Sequence, residues 1–216
     1  MDEVPTVKLE EDHYRGLKTH MSGLRMHDHV CMAYTDREQQ VTAIAYYMKA
    51  GLALGEKCMY VSDKATSDFV LKILSDTGID VEDLIEQGAI EIAQPEQLYM
   101  RKGYFDPDDV IALGRSIIAD ALRKGFKGLR CACDMTWAKT YKITPKALMD
   151  YEAKVNCLFE DNLVSICQYN THIFDEQMID SLLQTHAVSV YGGNVVHNPQ
   201  FAPATHQLPI AHEQSA

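Results

Sequence analysis

His29-Val-Cys-Met-Ala-Tyr34-Thr-Asp-Arg-Glu-Gln-Gln40-Val41 is the stretch that decides the fold. An apolar, β-rich run ends at Tyr34 and a polar turn follows. From there Val41, Ile44, Ala45, Met48 and Leu52 recur at helical spacing up to Gly55, where a C-terminal cap is expected. Strand, turn and helix in this order open a βαβ unit. In doubly wound folds the first such turn is where phosphate is cradled. Here Tyr34-Thr-Asp-Arg-Glu-Gln39 has no glycine, no Lys followed by Ser or Thr, and two carboxylates where phosphate would sit. Thr35 with Glu38 reads as a capping box that satisfies the helix's own N–H groups. Tight phosphate binding at this turn is disfavoured, although ADP-like binding elsewhere stays open.

The same alternation continues outward. Short β-rich runs lie at Cys58–Ser62, Ile90–Ala93, Gly128–Cys133, Leu163–Tyr169 and, as an edge strand, Val188–Tyr191. Helical patterns separate them: Ser67–Asp76, Val81–Gln87, Pro107–Lys124 with Gly125 after it, a helix opened by Pro145 that carries Leu148, Tyr151, Val155, Leu158 and Phe159 inward, and Asp175–Thr185. This pattern predicts a mostly parallel, doubly wound sheet flanked by helices, a three-layer α/β sandwich. The expected organisation is an N-terminal extension over 1–27, one domain over 28–202 and a disordered tail over 203–216.

Composition bounds the function. The 216 residues are 46% hydrophobic and 24% charged, as in ordinary globular chains, with a formal net charge of -11 and no basic block. Direct nucleic-acid binding and adhesion to an anionic membrane are therefore disfavoured. The acidic start carries neither a secretory nor a transit signal, and no apolar run reaches the length of a membrane span. The six cysteines mostly lie inside apolar runs, which fits reduced, packed thiols in the cytoplasm better than disulfides.

A few polar residues need explaining. Glu152 shares the helical face of Leu148, Val155 and Phe159 and so points at the sheet, where a carboxylate needs a partner. Arg130, inside the fourth strand, is the expected one. The plain reading is a structural ion pair; the sharper one is a polar pocket of Glu152, Arg130 and Asp134. Asp134-Met-Thr-Trp137 follows the fourth strand, and Gln168-Tyr169-Asn170 ends the fifth, at the end of the sheet where ligands bind in such folds. Tyr34 ends the first strand in the same zone.

His29 and Cys31 form an H-x-C pair and Cys131 and Cys133 a C-x-C pair. Residues i and i+2 of a strand stand about 6.6 Å apart along it, whereas sulfurs on one zinc, at bonds of about 2.3 Å, must come within roughly 4 Å. A metal site would need a bulge or one sulfur from each of several strands, such as Cys31, Cys133 and Cys167, and simple packing of buried thiols is the favoured reading. No nucleophile elbow, H-E-x-x-H or C-x-x-C motif is present, so no enzyme is signalled.

In order and spacing, several stretches resemble the MEDS family, the methanogen and methylotroph DcmR-type sensory domain. They are His29-Val-Cys31 with Tyr34 and Glu38, Gly55-Glu56-Lys57-Cys58, Gly103-Tyr-Phe-Asp-Pro107, Arg130, Asp134-Met-Thr-Trp137, Tyr151-Glu152 with Asn156, Cys167-Gln168-Tyr169, His186 and Asn198-Pro-Gln-Phe201. The resemblance implies a RecA- or KaiC-like fold without a working P-loop that senses small hydrocarbon derivatives, such as methylated or halogenated one-carbon compounds. Members often sit beside a DNA-binding or histidine-kinase module. Because about 28 residues precede the first strand here and none reads as a helix-turn-helix, output through a partner chain or a homo-oligomer is expected. Cys131 and Cys133, and Ala187 after His186, depart from the family's pattern.

The expected function is a sensory domain for a small organic ligand that regulates transcription or signals through a partner such as a kinase or a transcription regulator. Its pocket is expected to be lined by Tyr34, Arg130, Asp134, Trp137, Glu152, Gln168 and Tyr169. Two alternatives stand beside it: a degenerate nucleotide-binding protein, and a metal or thiol sensor using His29, Cys31, Cys133 and Cys167. The cofactor, if any, is left open.

Overall fold

The computed structural model describes residues 15–191, 194–198 and 201. Its seven strands are β1 (His29–Tyr34), β2 (Lys57–Val61), β3 (Ile90–Ala93), β4 (Leu129–Asp134), β5 (Leu163–Asn170), β6 (Val188–Tyr191) and β7 (Asn194–His197). They form one sheet in the order β3-β2-β4-β5-β1-β6-β7. Every pairing is parallel except β6 with β7. The helices are α1 (Arg15–Gly23), α2 (Arg37–Leu54), α3 (Lys64–Asp76), α4 (Val81–Glu86), α5 (Pro95–Leu98), α6 (Pro107–Arg123), α7 (Trp137–Thr140), α8 (Pro145–Val155) and α9 (Glu176–Gln184).

Strand alternation divides the core in two. Val30, Met32, Ala132, Val164 and Ile166 face one side, which α1, α2 and α3 cover through Leu17, Met21, Ile44, Met48, Val70 and Leu74. Cys31, Cys131, Cys133, Cys167 and Tyr169 face the other, covered by α6, α8 and α9. The result is the three-layer α/β sandwich expected from the alternation of strands and helices. Among the described residues no helix is long and apolar enough to cross a membrane.

Helix starts are set by side chains that take up free N–H groups. Asp36, Asp63, Asp80, Asp106, Thr144 and Asp175 are the caps of α2, α3, α4, α6, α8 and α9. The expected cap at Thr35 is thereby corrected by one residue: Asp36 is extended, and its carboxylate accepts from Gln39 N at 2.8 Å. A carboxylate still occupies the helix end where a phosphate cradle would stand. Gly55 ends α2 in the left-handed region at φ 78°, as expected.

Several features were not anticipated, the short helices α5 and α7 among them. Helix α1 buries Leu17 and Met21 against α2, and β7 pairs back on β6. The helix opened by Pro145 ends at Val155, and a 3-10 turn over Asn156–Glu160 carries the buried Leu158 and Phe159. The expected disordered tail lies outside the described residues.

Candidate functional site

Glu152 points at the sheet and is fully buried, but its partner is not Arg130. Arg130 occupies the second position of β4 and faces α2, where its Nε donates to Glu56 Oε2 at 2.5 Å and its guanidinium lies over the Tyr47 ring at 4.5 Å. Glu152 packs on the opposite face. The expected pairing fails because adjacent positions of a strand point to opposite sides: Cys131 shares the side of Glu152, and Arg130 does not.

What Glu152 meets instead is a cluster of histidines. Tyr169 donates its hydroxyl to Glu152 Oε1 at 2.5 Å. His29 Nε2 and His186 Nε2 each stand 3.5 Å from Glu152 Oε2, and Cys167 Sγ lies 3.6 Å from His29 Nε2. The four ligand atoms of His29, Glu152, Cys167 and His186 lie within 4.8 Å of one another, and all four residues are buried. Burial opposes ionisation of Glu152, yet the surrounding His29, His186 and Tyr169 outweigh it and hold its carboxyl below the usual range. Burial and the adjacent His29 press the His186 imidazole down to about 3, so that ring is neutral at physiological pH.

The orientation of each ring is fixed from behind. Asn156 Nδ2 donates to the carbonyls of Glu152 at 2.9 Å and Thr185 at 3.3 Å. Its Oδ1 therefore faces His29 Nδ1 at 3.0 Å and receives that ring's proton. His186 Nδ1 meets the Leu182 carbonyl at 2.8 Å, an acceptor only. In its neutral form each ring then turns its Nε2 lone pair towards Glu152.

Beside this cluster, between the sheet and helices α6 and α8, lies an apolar cavity of about 50 Å³. Its sheet wall is made of His29, Met59, Cys131, Cys133, Ser165 and Cys167. Val110 and Ile118 from α6, Tyr151 from α8 and the Tyr99 ring close it. The Cys131 and Cys133 sulfurs stand 3.6 Å apart. Backbone spacing alone argued against such an approach on a regular strand, but side chains lean along the strand.

The expected site residues are divided by the sheet. Tyr34, Asp134 and Gln168 belong to the α2 side. There Gln40 Nε2 donates to Asp134 Oδ2 at 3.0 Å, and the Tyr60 hydroxyl donates to Gln168 Oε1 at 3.0 Å. Trp137, Glu152 and Tyr169 belong to the cavity side, and Trp137 stacks on Tyr99 at 4.1 Å between ring centroids. None of the seven expected residues is itself in the cavity wall; Trp137, Glu152 and Tyr169 stand one layer behind it. Of the expected metal candidates, His29 and Cys167 converge. Cys31 and Cys133 do not join them, although Cys31, Cys167 and Cys133 sit in register across β1, β5 and β4. Sequence spacing did not single out Glu56 or bring His186 to Glu152; the one usable signal was that an inward-facing Glu152 needs a partner.

A family model described as MEDS, the methanogen/methylotroph, DcmR sensory domain, matches residues 28–187. The chain belongs to the MEDS family. The role that goes with this MEDS domain is sensory and regulatory. The domain is also similar to the transcriptional repressor DcmR of Methylorubrum extorquens (strain DSM 6343 / CIP 106787 / DM4), at 23% identity over 173 residues, 78% of this chain and 62% of the repressor. The chain thus spans less than two thirds of that relative's length.

Proposed function

We propose that this MEDS domain senses a small, polarisable organic molecule of one-carbon size, methylated or halogenated, bound in the cavity between the sheet and helices α6 and α8. The observation that carries this is the cavity's size and lining. A buried site needs about 10–15 Å³ per water, so about 50 Å³ accommodates about three to five heavy atoms. Sulfur atoms of Met59, Cys131, Cys133 and Cys167 and the Tyr99 and Tyr151 rings line it. Such soft surfaces favour an apolar, polarisable guest through dispersion. Trp137, Tyr169 and Glu152 frame this wall, while Tyr34, Asp134, Gln168 and Arg130 brace the far side of the sheet. A nucleotide is far too large for this space, and the turn after β1 presents Asp36 and Glu38 in place of a phosphate cradle.

Ligand affinity for one state of the domain shifts a conformational equilibrium, and a partner chain or a second copy reads the shift. Likeness to a transcriptional repressor supports regulation of transcription as the output, and the net charge of -11 favours reaching DNA through a partner over direct contact by this domain. Thermal unfolding of the purified chain against dihalomethanes, methanol, small thiols and Mg-ATP tests the reading. A saturable rise in Tm with a one-carbon compound and none with Mg-ATP is expected; stabilisation by Mg-ATP alone would overturn it.

A further inference from the structure

We propose that His29, Glu152, Cys167 and His186 form a binding site for a divalent transition-metal ion, with zinc the best match to the donor set. The proposal is independent of whether the cavity takes an organic guest.

Donor counting carries the argument. With Asn156 Oδ1 and the Leu182 carbonyl taking the Nδ1 protons, the neutral rings of His29 and His186 each turn an Nε2 lone pair towards Glu152 Oε2 at 3.5 Å in a dry interior. Among the described residues, Glu152 Oε2 and His186 Nε2 are buried without a hydrogen-bond partner. Facing acceptors in a low-dielectric interior repel each other, and an unmatched buried polar atom is costly. A cation between them removes both penalties.

The geometry agrees. Ligand atoms on one tetrahedral zinc, at bonds of about 2.0–2.3 Å, stand about 3.3–3.8 Å apart. Three of the six separations match, 3.5 Å twice and 3.6 Å from Cys167 Sγ to His29 Nε2, and all six lie within 4.8 Å. Two imidazoles, a thiolate and a carboxylate suit zinc better than magnesium or calcium, which prefer oxygen. Charge balances as well: a dication, one carboxylate and one thiolate leave the buried site neutral, the Cys167 thiol giving up its proton to solvent as the ion binds. The backing contacts, Asn156 on His29, Leu182 carbonyl on His186 and Tyr169 on Glu152, are those that orient metal ligands. The site is formed by β1, β5, α8 and the second residue after α9, so an ion there would tie α8 and the end of α9 to the centre of the sheet.

The test uses the full chain purified from zinc-supplemented medium, with elemental analysis, and the same chain refolded with cobalt and read by absorption. One zinc per chain is expected, together with tetrahedral cobalt bands and a thiolate-to-cobalt charge-transfer band. The charge-transfer band should be lost in Cys167→Ser and kept in Cys131→Ser, with zinc stoichiometry falling at least tenfold in His186→Gln. Should Cys167→Ser fail to fold, the His186→Gln stoichiometry and the band in Cys131→Ser still decide. Wild-type chain without stoichiometric zinc or a thiolate band, or a band lost with Cys131 and not with Cys167, would overturn the proposal. A proton shared by His29 and Glu152 in place of the metal would appear as the first of these results.

Discussion

Arg130 Nε donates to Glu56 Oε2 at 2.5 Å, and the pair is buried beneath α2 on the face of the sheet opposite Glu152. Removing one partner of such a pair strands a charge in the interior. Arg130→Met and Glu56→Gln are each expected to cost about 3–5 kcal/mol in denaturant unfolding. Arg130→Met and Glu152→Gln share no partner and should add within about 0.3–0.5 kcal/mol. Coupling between Arg130 and Glu152 of more than that would contradict the separation of the two faces.

Gly51 makes room for that arginine. A Cβ there would stand 2.4 Å from Arg130 Cδ and 2.8 Å from Cys58 Sγ. Alanine gains about 0.5–1 kcal/mol over glycine inside a helix, but overpacking of this kind costs about 1–3 kcal/mol. Gly51→Ala is therefore expected to destabilise, and an increase in its urea midpoint would show that Arg130 can move aside.

Asp134 gives the stability a pH dependence of definite sign. Burial is the largest influence and lifts its carboxyl above the ordinary range, against the hydrogen bonds from Thr136 N and Gln40. A raised native pKa contributes stability that is present below the unfolded value of 3.8 and lost as pH rises through the native value. Asp134→Asn keeps an acceptor for Thr136 N and does not titrate. Its stability relative to wild type should rise with pH across that interval and level off above it. A relative stability that falls with pH would show that the carboxylate, not the acid, is the preferred native form.

Much of the fold was legible because it rests on local signals. The strand pattern from His29 to Tyr34, the apolar spacing of Val41 to Leu52, Gly55 at a helix end, and Pro107 and Pro145 at helix starts each act within a few residues, and each element formed where expected. Glu152 was legible as an inward-facing carboxylate for the same reason. Its partners were not, since His29, Cys167 and His186 reach it from β1, β5 and the second residue after α9, and strand register and face decide which of them meet. The parity of one residue separated Arg130 from Cys131 and sent the expected partner to the wrong side. The cavity was equally out of reach, being a property of how α6 and α8 pack on the sheet.

Trp137 reports on the cavity through its ring neighbour. It is buried and stacks on Tyr99, which lines the cavity wall. A halogenated guest against Tyr99 should quench or shift its emission in a saturable way, and Tyr99→Leu should weaken the response. Emission that stays flat while the same compound raises Tm would place the binding site elsewhere.

The most direct measurement compares the Tm shift given by a dihalomethane in the wild-type chain and in Val110→Phe, whose larger side chain fills the cavity beside the three cysteines. A guest that binds only the native state at about 100 times its Kd stabilises by about 2.7 kcal/mol. The expected result is a saturable shift in wild type that disappears in a folded Val110→Phe. An equal shift in both proteins would contradict the cavity as the sensory site.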